Sequence, residues 1–121
     1  MGPRAELDPF TPPLNLALKA RSYTFLGEPE NALALARSCT TVNPNLQPCF
    51  IQLAIAAKET GQEAEARSAA DRVIEINPGF SISRQVQLVP FRRPEDASRF
   101  ADLLRRAGFL NRSISQRKVR P

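Results

Sequence analysis

Apolar residues recur along this chain at intervals of three and four, the spacing that gathers them on one face of an α-helix. Leu16, Ala20, Tyr23 and Leu26 predict a helix over 13–26, closed by Gly27, since glycine tolerates the left-handed conformation at a helix C-terminus. Ala32, Leu35, Ala36, Cys39 and Val42 predict a second over 29–42, stopped by Asn43-Pro44 because proline has no donor and crowds the turn before it. Phe50, Leu53, Ala54 and Ala57 then mark a third helix over 47–60, ending at Gly61. Ala66, Ala69, Ala70, Val73 and Ile76 mark a fourth over 63–76, ending at Asn77-Pro78. Farther on, Pro90 cuts short a helix over 81–88, and Pro94 opens another over 94–107 with the stripe Ala97, Phe100, Ala101, Leu104 and Ala107 before Gly108.

The punctuation repeats. Asn43-Pro44 and Asn77-Pro78 lie 34 residues apart, and the same offset carries Gly27 onto Gly61, Ala32 onto Ala66, Ala36 onto Ala70 and Leu46 onto Phe80. A fixed period of this length signals a solenoid of helix-turn-helix units. Leu16, Ala20, Tyr23, Ala32 and Pro44 in the first unit, and Phe50, Leu53, Ala54, Ala66, Ala70 and Pro78 in the second, resemble the tetratricopeptide repeat. Lys19 stands where that family prefers leucine, and Ala57 where it prefers an aromatic. The resemblance implies an all-α domain over 13–110: repeats at 13–46 and 47–80, and a divergent capping unit at 81–110. Residues 1–12 form an N-terminal extension. Its Leu7-Asp8-Pro9 reads either as the end of a preceding repeat or as an ordinary Asp-Pro turn. Residues 111–121 read as a basic, disordered tail.

A second resemblance is narrower. Pro90-Phe91, Pro94-Glu95-Asp96, Leu103-Leu104 and Arg106-Ala107-Gly108-Phe109 are similar to the end of tetratricopeptide regions at the C-termini of bacterial class III adenylate/guanylate cyclases and related signalling proteins. This implies a fragment or relative of such a protein, and it carries no catalytic residue across.

Composition narrows the chemistry. With 42% apolar and 24% charged residues, the 121-residue chain has the make-up of one globular domain. No apolar run approaches the roughly 20 residues of a membrane span, and residues 1–12 lack the layout of a signal peptide. Two cysteines argue against a disulfide scaffold and for a reducing cytoplasm. Cys39 sits on a core stripe, and Cys49 in the first turn of a helix without a base or resolving partner. The chain has no histidine, which removes the Ser-His-Asp and Cys-His arrangements and the commonest metal ligand. Glu63 and Glu65 open a helix, where its dipole favours negative charge. No phosphate loop or metal cluster is present, so no catalytic residue, metal or cofactor is expected.

Binding is therefore the expected role. In the resembled family the first helices of successive units line a concave groove. The positions pointing away from their paired helices are Leu14, Ala17, Arg21 and Thr24, then Pro48, Ile51, Ile55 and Lys58. This stripe is expected to hold a protein or peptide partner, or to pack on other domains of a parent protein or on a second copy in a homodimer. Charge suggests an alternative. Residues 1–80 carry seven basic and nine acidic side chains, a balance of −2, whereas residues 81–121 carry ten and three, a balance of +7. Arg92, Arg93, Arg99, Arg105, Arg106, Arg112, Arg117, Lys118 and Arg120 could meet phosphates, but no interleaved aromatics suggest base stacking, and a solvated face explains them as well.

Overall fold

A computed structural model describes residues 12–109; the expectations for the N-terminal extension (save its last residue) and for the basic tail lie outside the described residues. Six helices and no strand occur among them: α1 (Pro13–Phe25), α2 (Pro29–Val42), α3 (Gln47–Glu59), α4 (Glu63–Ile76), α5 (Ile82–Leu88) and α6 (Pro94–Arg106). Each boundary of α1 and α2 maps onto the matching boundary of α3 and α4 at an offset of 34, since 13, 25, 29 and 42 become 47, 59, 63 and 76.

The terminators repeat in atomic detail. Gly27 and Gly61 adopt φ of +79° and +82°. At the first, the Gly27 amide donates to the Thr24 carbonyl and the Glu28 amide to the Tyr23 carbonyl; at the second, Gly61 donates to Lys58 and Gln62 to Ala57. This paired closure satisfies carbonyls that the end of a helix leaves without partners. Asn43 and Asn77 also match: the side-chain oxygen of each accepts from the backbone amide two residues on, at 3.0 and 3.2 Å. Proline in the first turn starts α1, α2, α3 and α6, where the missing N–H has no role to lose. Ser81 starts α5, its hydroxyl accepting from the Arg84 amide.

The short turns at 26–28 and 60–62 fold α1 onto α2 and α3 onto α4, while α2 also packs on α3 and α1 on α3. Ala32, Ala36, Ala54, Ala66 and Ala70 are buried where helices meet. Several expected core positions differ. Leu26 and Val42 are largely exposed, because each ends its helix beyond the packed turn, and Leu103 is buried on α6 where Ala97 and Ala101 are only half-buried.

Beyond Pro78 the repetition stops. α5 has only 7 residues, and α6 packs on both α5 and α3. α6 spans the C-terminal ends of the two leading helices. Arg99 donates to the Thr24 and Phe25 carbonyls at the end of α1 (3.2 and 2.9 Å), and Arg106 pairs with Glu59 at the end of α3 (2.6 Å). Phe25, Phe91 and Phe100 form one aromatic cluster with centroids 5.5–6.4 Å apart, and Phe80 meets Phe109 at 4.7 Å.

One expectation about chemistry is overturned. Cys39 on α2 and Cys49 on α3 form a disulfide, with Cα atoms 5.4 Å apart and both residues fully buried. The Asn43-Pro44 turn brings the end of one helix beside the start of the next, so each thiol has the resolving partner that the sequence did not reveal.

Candidate interaction surface

The eight expected groove residues do not form one open stripe. Ile51 and Ile55 are each 1% exposed, Ala17 is 3% and Thr24 is 5%, and all four belong to the core. The expectation that they face an open concavity is corrected, and the reason is topological. α3 packs against α1, α2, α4 and α6, so residues 51–57 are buried on every side of the helix. Pro48 and Lys58 are half-buried at the two ends of α3, and the Lys58 ammonium is held by Glu63 at 2.9 Å. Leu14 is exposed and Arg21 half-buried on α1.

Their surroundings define the candidate surface. At 100° per residue, Leu14, Leu18, Arg21 and Phe25 lie along one face of α1. Leu14 and Leu18 are 50% and 42% exposed, which makes them an apolar pair one turn apart. The face runs into a cleft of 490 Å³ lined by Arg21, Ser22 and Phe25 of α1, by Val89, Pro90, Phe91, Arg92 and Arg93 of the α5–α6 connection, and by Asp96 of α6. The cluster of Phe25, Phe91 and Phe100 holds this connection against α1. The Arg99 guanidinium lies 4.9 Å over the Phe25 ring and locks the same corner from α6.

The cleft is basic and only partly neutralised. Three arginines against one aspartate leave a balance of +2 among the lining residues. Arg93 lies 3.6 Å from Asp96 and 3.9 Å from Glu95. Neither Arg21 nor Arg92 makes a hydrogen bond or ion pair among the described residues. Burial lowers the pKa of the Arg21 guanidinium from its ordinary value, because the charged form loses water without gaining a partner.

Other clefts contrast with it. A larger one, 740 Å³ between Pro44, Phe50 and α4, has its Arg72 already engaged within the fold. Arg72 donates to the Pro44 carbonyl and the Asn45 side chain, pairs with Glu75 and lies over Phe50. On its rim, Arg37 and Glu65 form a two-bond ion pair at 2.7 and 2.9 Å, which raises the arginine pKa and lowers that of the carboxylate. Glu63 and Glu65 thus serve as partners for Lys58 and Arg37. The basic last third is also partly spent inside the fold. Arg105 pairs with Asp102, Arg106 with Glu59, and Arg99 caps α1, which leaves fewer of these arginines for phosphates.

Among the described residues no group of three or more metal-binding side chains occurs. Two buried polar atoms, Thr24 Oγ1 and Gln52 Oε1, have no hydrogen-bond partner there. Compared with known proteins, the chain matches no family model and gives no significant match to a curated protein or to a solved structure.

Proposed function

We propose that the chain is a tetratricopeptide-type module that works by holding a protein partner and not by catalysis, as the C-terminal regulatory part of a larger bacterial signalling protein such as a class III cyclase. The supporting observation is the coincidence of all four helix boundaries, and of both closing motifs, at an offset of 34 residues. In this reading α1/α2 and α3/α4 are the two repeats, and α5 and α6 are the cap. The partner does not enter between the leading helices, because α3 is enclosed; it meets the outer face of α1. The buried Cys39–Cys49 bond fits an oxidising compartment better than the reducing cytoplasm expected from the cysteine count. No helix among the described residues is long and apolar enough to cross a membrane.

Photo-crosslinking in the source cell tests the reading. A photoreactive residue at Leu18 should yield a discrete protein adduct, and the same group at Ser68, exposed on α4, should not. An adduct containing a second copy of the chain would make the module a homodimer instead. Equal labelling at both positions, or none at Leu18, would refute binding through α1.

A further inference from the structure

The geometry points to the Arg21 cleft as a docking site for an acidic amphipathic helix, its leucine-type side chains lying on Leu14 and Leu18 and its carboxylates reaching Arg21 and Arg92. This deepens the reading above by naming the site and the chemistry of the partner.

Three observations carry it. Arg21 is a cation that the fold half-buries and that has no partner among the described residues, whereas the three arginines of α6 all find acceptors there. An arginine held at the mouth of a cleft without an acceptor is a preorganised donor for a carboxylate, which it can bind through two parallel hydrogen bonds. Second, the apolar pair lies on the same face of α1 as the guanidinium. Seven residues separate Leu14 from Arg21, about 10 Å along the axis at 1.5 Å per residue. A facing helix with apolar residues four apart and acidic residues in the following turn would match that length. Third, four of the nine lining residues, Phe25, Val89, Pro90 and Phe91, are aromatic or aliphatic, so apolar surface adjoins the arginines and extends the face that Leu14 and Leu18 begin.

Charge and shape together choose the occupant. A nucleic-acid strand would leave Leu14 and Leu18 unmatched, since its backbone needs a continuous basic track. A helix of apolar and acidic residues uses every exposed feature of the face.

The test is fluorescence anisotropy with the whole chain and a labelled helix-forming peptide that carries leucines four apart followed by three glutamates. Its companion has glutamine at those three positions. The acidic peptide should bind saturably and its companion at least about tenfold more weakly, the loss expected for one charge-assisted hydrogen bond. Arg21→Gln should weaken the acidic peptide by a similar factor while leaving the companion and the melting temperature unchanged. Leu14→Ser/Leu18→Ser should weaken both peptides. The proposal is overturned if the acidic peptide does not bind, if Arg21→Gln leaves its affinity unchanged, or if a single-stranded oligonucleotide of equal charge binds more tightly. A discrete adduct at Leu18 alongside an indifferent Arg21→Gln would sink this inference alone. Peptide binding without any protein adduct in cells would sink the broader reading instead.

Discussion

Replacing Ile51 and Ile55 with alanine discriminates between an open groove and an enclosed helix. On an open face, truncating both would remove partner contacts and leave the fold almost untouched. In the structure each is 1% exposed on a helix packed against four others. Truncating a buried isoleucine to alanine costs about 2–5 kcal/mol, from lost transfer energy and from the cavity left behind. The two lie one turn apart and share neighbours, so their losses will not simply add. Even 4 kcal/mol for the pair would take a large part of the roughly 5–15 kcal/mol that stabilises a domain of this size. Ile55→Ala alone should lower the melting temperature by at least about 8 °C, at roughly 4 °C or more per kcal/mol. Thermal and urea denaturation followed by circular dichroism supply the measurement, with Leu53→Ala as the buried reference and Leu18→Ser as the exposed one. A double variant that melts like Leu18→Ser would show that α3 keeps a free face. The reasoning about enclosure would then be wrong.

Three further outcomes follow from single features. Thr24→Val removes a buried hydroxyl without a partner and keeps the branched shape, so it should raise stability by about 1 kcal/mol in the same denaturation assay. The hydrogen bonds from Arg37 lower the Glu65 pKa, so the contribution of this pair is present above the ordinary carboxylate range and is lost as pH falls through the lowered folded value. Glu65→Gln should flatten that acid limb by no more than about 1 kcal/mol, since Arg37 is half exposed. Intact mass should show two hydrogens fewer than the reduced chain, and Cys39→Ala/Cys49→Ala should lose about 3 kcal/mol, as expected for closing a loop of this length. Free thiols in the purified, air-exposed and denatured chain would contradict the bond.

Much of the fold was legible because its punctuation is local. A glycine that must take positive φ, or a proline that cannot continue a helix, acts on its immediate neighbours whatever the rest of the chain does. Hence the four repeat-unit helices begin where expected and end within a residue of it. The site was less legible because burial is decided by elements far away in sequence. Ile51 and Ile55 stand on the side of α3 away from one partner helix, and that position reads equally well as an exposed binding face or as a second buried one. A signal that separates the two was present. Cys49 to Ala57 is apolar at every position except Gln52, and a helix apolar all round is an enclosed helix. The disulfide was hidden for a similar reason, since two cysteines ten residues apart meet only because the turn at Asn43-Pro44 reverses the chain between them.

The break in the repetition links the enclosed core to the open cleft. Had the third unit continued with the spacing of the first two, its leading helix would start near residue 81 and run a full 13 residues, as α1 and α3 do. Pro90 ends it after Leu88, and Pro94 restarts the chain as α6 five residues beyond the extended Val89. That short connection places Phe91 against Phe25 and lets α6 lie across the ends of α1 and α3, where Arg99 and Arg106 fasten it. The same connection carries Arg92 and Arg93 to the side of Arg21. Filling the space beside α3 and building a basic cleft beside α1 are therefore two results of one pair of prolines. Any change that lets α5 continue through residue 90 should lose both together.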